Sequence, residues 1–198
     1  WYDDCHQLLT HNTLDKKNKL VTQTEVKMYD STTETSTTLS RVDYEYDECG
    51  NMTKKREYPD ITNSNDYIET QITYQDNTLP ISISVTGVKD ADGNLVNGTG
   101  IITETYVYDD LGRMIASTDG SGNTRQYTYD KVGRLTSVSF PDGTAQTYVF
   151  DTPLSKTTYT DRNGNTYIYQ YTNIGLLDTI TDPNETILCD NDYDNRGR

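Results

Sequence analysis

YVYDDLGRM occupies residues 106 to 114 and YTYDKVGRL residues 127 to 135, one pattern written twice 21 positions apart. A catalytic site needs its residues once, so the recurrence points to architecture. Self-similarity at a fixed period is the signature of a repeat fold. Taking the last aromatic before each Asp-type turn as an anchor gives Tyr2, Tyr29, Tyr46, Tyr74, Tyr108, Tyr129, Phe150, Tyr171 and Tyr193. From Tyr108 onward the interval is 21 or 22 residues; before it the intervals are 27, 17, 28 and 34. The chain therefore reads as one array over 1–198, irregular over 1–105 and regular over 106–198.

A second landmark recurs inside each unit. Gly122, Gly143 and Gly164 lie in TDGSGN, FPDGT and TDRNGN, and Gly93 in DADGN takes the same role. Asp-Gly and Asn-Gly pairs supply the positive φ that tight hairpin turns need. The segments between turns, such as RLTSVSF and TAQTYVF, alternate in strand fashion. One unit is thus a strand, a Gly-bearing turn, a strand ending Tyr-x-Tyr, and an Asp-x-x-Gly-Arg turn. Units in succession predict an all-β, curved, spiralling antiparallel sheet of hairpins of about 21 residues.

Each motif residue has a structural role in this reading. The set is Tyr46, Asp47 and Gly50; Tyr106, Tyr108, Asp109, Gly112 and Arg113; and Tyr127, Tyr129, Asp130, Gly133 and Arg134. It continues with Tyr148, Phe150 and Asp151; Tyr169, Tyr171 and Gly175; and Tyr193, Asp194, Gly197 and Arg198. The rings of Tyr-x-Tyr project from one face, because strand side chains alternate. Tyr106 with Tyr108, and Tyr127 with Tyr129, are expected to stack as ladders across neighbouring strands. Asp109 and Asp130 are placed to accept backbone N–H bonds in their turns, Gly112 and Gly133 to take the left-handed positions, and Arg113 and Arg134 to reach back to a carboxylate.

Composition agrees with an ordered β protein. Leu, Ile, Val and Phe are 37 of 198 residues and the net charge is -14, which alone would lean toward disorder. Against this stand 17 Tyr and 33 Thr, residues that suit a pleated, half-buried surface. The acidic balance argues against nucleic acid, whose phosphates need clustered Lys and Arg. No apolar run is long enough to span a bilayer as a helix. The start at Trp1 shows no basic segment followed by an apolar one, and DNRGR at the end stops inside a motif. Both ends read as cuts from a longer protein.

Tyr-x-Tyr-Asp-x-x-Gly-Arg-Leu followed by a Gly-bearing hairpin resembles the YD repeats of RHS proteins, bacterial toxin-complex subunits and teneurins. The matching stretches are YVYDDLGRM, YTYDKVGRL, YEYDECGNM and YDNRGR, with weaker copies in YVFDTPLS, YQYTNIGLL, YQDNTLP and WYDDCHQLL. The resemblance implies a long sheet spiralling into a hollow shell, which in bacterial members encloses a toxic C-terminal segment. It also implies a secreted or cell-surface location, the remainder of a parent RHS protein as partner, and carbohydrate as a ligand class.

Other chemistry has little support. Cys5 and Cys49 occupy the slot held by Leu111, Val132 and Ile174 in other copies, which reads as an apolar filler at the turn corner. With Cys189 they make a scattered count of three, expected as buried free thiols or a Cys5–Cys49 bridge. His6 and His11 are the only neutral-pH bases and have no nucleophile motif beside them. DADGN, DGSGN and DRNGN place oxygens around a Gly, but the Gly comes fourth, where a calcium loop needs it sixth. STTETSTTL reads as a polar strand or loop, PDITNSNDY and KDADGNLVNGTG as long loops, and Asn51, Asn97 and Asn184 stand in glycosylation sequons. No enzyme and no cofactor is expected. The leading expectation is a structural shell segment; a carbohydrate-binding or adhesion module is the other reading. Self-association through exposed sheet edges or the Tyr face is also expected.

Overall fold

The computed structural model describes residues 6–194, 196 and 197; Tyr2, Cys5 and Arg198 lie outside them. Fifteen strands follow one another: β1 (His6–Leu14), β2 (Val21–Asp30), β3 (Thr35–Tyr46), β4 (Met52–Tyr58), β5 (Ile68–Gln75), β6 (Leu79–Thr86), β7 (Ile102–Tyr108) and β8 (Met114–Thr118). They continue with β9 (Thr124–Tyr129), β10 (Leu135–Ser139), β11 (Ala145–Asp151), β12 (Lys156–Thr160), β13 (Thr166–Tyr171), β14 (Leu177–Thr181) and β15 (Ile187–Asp190). Among the described residues the strands are neighbours in chain order, as one open antiparallel sheet. Among the described residues there is no α-helix, only a 3-10 turn at Val96–Gly98 in the β6–β7 connection.

The hairpins form locally because their turns are chemically specified. Asp109 N–H donates to Arg113 O and Gly112 N–H to Asp109 O, each at 2.9 Å. The Asp109 Oδ1 atom accepts the N–H groups of Leu111 and Arg113 at 3.0 Å. Gly112 stands at φ +75°, a conformation that costs an L-residue roughly 1–2 kcal/mol. The opposite ends of the strands use the same geometry. Asp161 N–H donates to Asn165 O, Gly164 N–H to Asp161 O, and Asp161 Oδ1 accepts from Asn163 and Asn165. The two turn families that the sequence suggests are therefore one turn used twice.

Chain contacts divide the molecule into two compact units, one running to Tyr106 and including Asp119–Ser121, the other made of Val107–Thr118 and the residues from Gly122. In the first, the stretch STTETSTTL becomes a turn followed by the start of β3. Tyr29 ends on β2, whereas Tyr46 ends β3 and Tyr74 ends on β5. Tyr29 therefore lies at the other edge from these anchors, and the 17-residue interval spans a single strand reversal. The two long loops carry turns, a bridge between Lys89 and Leu95, and Asn97 at φ +53°.

Neither unit has a closed core among the described residues. Val138 is the one buried apolar residue, at 8% exposure, and no described side chain falls below 2%. Stability must then come from neighbour-to-neighbour contacts along the sheet, as in other one-dimensional arrays. In the second unit, Thr hydroxyls face one another across strands at Thr118–Thr124, Thr128–Thr136 and Thr160–Thr166. Such cross-strand pairs are each worth about 0.2–1 kcal/mol, which gives the many threonines a purpose.

Candidate functional site

The motif residues gather at the edge of the sheet where the Asp-x-x-Gly turns lie. There, Arg113 Nε donates to Asp109 Oδ2 and Arg134 Nε to Asp130 Oδ2, both at 2.7 Å. Asn51 plays the same part toward Asp47 at 2.9 Å. Each guanidinium also lies over the ring that ends the next Tyr-x-Tyr strand: Arg113 over Tyr129 at 4.9 Å and Arg134 over Phe150 at 4.3 Å. The hydrogen bonds from Arg113 hold the Asp109 carboxyl below its ordinary pKa. Asn51 does the same for Asp47, and Asn165 for Asp161. Burial pushes Asp130 up, but the hydrogen bonds from Arg134 outweigh it.

These carboxylates spend their oxygens on their own turns, which bears on the calcium reading of DADGN and DRNGN. Asp90 Oδ1 takes the N–H groups of Asp92 and Asn94. Asp161 receives backbone donors on one oxygen and the Asn165 amide on the other. Among the described residues no group of three or more His, Cys, Asp and Glu is placed to hold a metal ion.

One further device escapes the sequence. In four copies the hydroxyl of the anchor tyrosine donates to the carbonyl of the first residue of the preceding strand. The pairs are Tyr46 with Val21 at 2.9 Å, Tyr74 with Met52 and Tyr129 with Met114 at 2.8 Å, and Tyr193 with Leu177 at 2.5 Å. Phe150 follows Leu135 at the same 15-residue interval that separates Tyr129 from Met114, yet has no hydroxyl to give. Tyr129→Phe is expected to lower unfolding free energy by about 1 kcal/mol, and Phe150→Tyr to raise it by up to about 1. Urea melts of the two variants check this; a Phe150→Tyr protein less stable than wild type would refute the device.

A ring ladder forms around β12. Tyr127, on β9, faces Val138 on β10, and its hydroxyl meets that of Ser117 at 3.1 Å. Successive Tyr-x-Tyr strands are two strands apart, roughly 9.6 Å, so a stack needs a ring on the return strand between them. Among β8, β10, β12 and β14 only β12 has one, Tyr159. Tyr148 stacks on Tyr159 at 5.1 Å between centroids, and Tyr159 on Tyr167 at 6.1 Å. Beside this stack an open groove of about 460 Å³ is lined by Leu135, Tyr148, Phe150, Thr157, Tyr159, Tyr169 and Tyr171. The rings are half-buried, neither sealed nor free. Tyr106 gives its hydroxyl to Glu104 at 2.6 Å.

The first unit carries a polar row instead. Gln23, Asp43, Arg56, Glu69 and Thr86 stand directly opposite one another across β2 to β6. Asp43 accepts from Gln23 at 2.9 Å, from both Nε and Nη2 of Arg41, and from the Tyr58 hydroxyl at 3.0 Å. Glu69, 8% exposed, accepts from Arg56 at 2.6 Å and Gln71 at 2.5 Å. Every acidic member is paired, so the row offers no idle general acid or base. The sequence hid it because Asp43 meets Gln23 and Tyr58, and Glu69 meets Arg56, only through strand register.

The turn-corner residues are not fillers. Cys49 is an exposed free thiol and Cys189 a half-buried one. Leu111, Val132 and Ile174, in the same slot as Cys49, are 77%, 76% and 70% exposed. The slot precedes the positive-φ residue of the turn and points its side chain off the edge of the sheet.

Residues 108–145 match the family model described as RHS Repeat. No curated protein matches the chain. It is similar to the crystal structure of TcdB2-TccC3 without its hypervariable C-terminal region, at 12% identity, with 96% of this chain and 15% of that chain covered and a TM-score of 0.38. The crystal structure of TcdB2-TccC3-Cdc42 gives 11%, 96%, 15% and 0.37. The Photorhabdus luminescens Tc holotoxin pore with a TccC3 mutation gives 12%, 96%, 14% and 0.36. The chain spans about 15% of the length of these solved chains.

Proposed function

With an RHS repeat at residues 108–145 as the starting point, we propose that this chain is a non-catalytic, wall-building segment of a larger RHS-type protein. One observation carries the reading: the motif's Asp, Gly, Arg and Tyr are consumed by the turn and by the neighbouring strand. A repeated motif whose polar groups all point back into the sheet makes architecture. In this reading the 1–198 array is one structural element of a secreted or surface protein, the parent's other segments are its partners, and the parent's shell encloses a toxic C-terminal segment. The motif residues from Tyr46 to Gly197 are its structural set.

The half-exposed rings of the groove between Leu135 and Tyr171 favour a second reading, a carbohydrate platform. Aromatic faces pack against sugar rings, and the flanking threonine can hydrogen-bond hydroxyls. A glycan-array screen of the purified chain and of Tyr148→Ala, Tyr159→Ala and Tyr169→Ala variants separates the two. The structural reading expects no selective binding and variants that lose strand signal in circular dichroism. Selective binding that disappears in a variant still folded would establish the carbohydrate platform in its place.

A further inference from the structure

On the edge of the second unit where the β7–β8, β9–β10, β11–β12 and β13–β14 turns lie, the residue before the positive-φ position is Leu111, Val132, Leu154 and Ile174 in turn. These four are 77%, 76%, 59% and 70% exposed, among the most exposed large apolar side chains described. On the opposite edge, the β10–β11, β12–β13 and β14–β15 turns hold Asp142, Asn163 and Asn184 at that position, followed by Gly143, Gly164 and Glu185 at φ +82°, +85° and +64°. The turn itself therefore does not require an apolar residue, and polar ones are the ordinary occupants of such loops. An apolar side chain presented to water at four successive tips needs a reason outside the hairpin.

We propose that this ridge is an interface with a second copy of the chain. Tips on one edge are two strands apart, roughly 9.6 Å. A copy carries the same spacing, so a two-fold arrangement brings all four tips into register at once: Leu111 toward the partner's Ile174, Val132 toward the partner's Leu154, and the reverse. The four side chains present on the order of 500 Å² of apolar surface, at the upper end of what soluble proteins leave exposed without function. Two such ridges bury at most about 1,000 Å², the lower bound for a specific contact, so the dimer is weak. Asp110 and Lys131, beside the first two tips, have opposite signs and build no one-sign barrier. The ridge is separate from the ring face, and the inference stands whether or not the structural reading does.

Sedimentation velocity of the full chain tests it from ~10 μM to ~1 mM, where a contact of this size associates, in about 0.15 M salt to screen the net charge of -14. Wild type is expected to shift from monomer toward dimer with concentration. The fourfold variant Leu111→Asn, Val132→Asn, Leu154→Asn and Ile174→Asn copies the residue type of the polar edge and is expected to stay monomeric with its strand signal intact. If the fourfold variant loses that signal, Val132→Asn with Ile174→Asn is read by the same criterion, with a loss of dimer of tenfold or more expected. A wild type monomeric throughout, or folded tip variants that dimerise as wild type does, would overturn the proposal.

Discussion

Replacing Arg56 by methionine is expected to cost about 2–3 kcal/mol of unfolding free energy at pH 7. Arg56 Nε bonds Glu69 at 2.6 Å, its Nη1 lies 3.6 Å from Glu45, and its guanidinium sits over Tyr67 at 5.3 Å. Methionine keeps the apolar stem but strands the Glu69 carboxylate, whose side chain is 10% exposed, with Gln71 as its main donor. Removing one partner of a fully buried pair costs about 3–5 kcal/mol. Arg56 is 31% exposed, and solvent screening lowers the figure.

The pH dependence carries a sign that a mere packing defect would not have. In the wild type, burial pushes the Glu69 pKa up, but the bonds from Gln71 and Arg56 bring it below its ordinary 4.5. Its contribution is then present above 4.5 and lost as pH falls through the lowered value. Arg56→Met removes both the bond and the charge that Arg56 contributes, so the Glu69 pKa rises relative to wild type. The variant therefore loses less stability than wild type on acidification. The gap between variant and wild type is expected to be widest at pH 7 and to narrow as pH falls below 4.5 in urea melts. The double variant Arg56→Met with Glu69→Leu is expected to recover much of the loss, since no charge is left buried alone. A gap independent of pH would mean that Arg56 acts through packing.

The second large effect is expected at Tyr159. Truncation to alanine removes the only ring on β8, β10, β12 and β14 and with it both stacks, to Tyr148 at 5.1 Å and Tyr167 at 6.1 Å. The Tyr159 hydroxyl also accepts the Gln146 amide at 3.0 Å. Full burial would put an aromatic-to-alanine change at about 3–5 kcal/mol; a half-buried ring in an open sheet should cost about 2–3. A double-mutant cycle with Tyr148→Ala isolates the stack, with about 0.5–1.5 kcal/mol of coupling expected. Strictly additive variants would mean the rings contribute area and no mutual contact.

The sequence by itself determined the parts whose physics is local. Asp109, Gly112 and Arg113 lie within five residues, and the turn they build needs only each other. The same holds for Asp130 to Arg134 and Asp161 to Asn165, so strand, turn and antiparallel order were legible from the 21-residue period. What tertiary structure decided was everything set by register. Gln23, Asp43, Arg56 and Glu69 are far apart in the chain and meet because each strand pairs with the next at a fixed offset. The ladder fell on Tyr148, Tyr159 and Tyr167 because facing rings must sit on adjacent strands, whereas the motif repeats on every second one. The exposure of Leu111, Val132 and Ile174 was likewise unreadable: an apolar letter in a turn says nothing about which way it points until the left-handed residue after it aims the chain off the edge of the sheet.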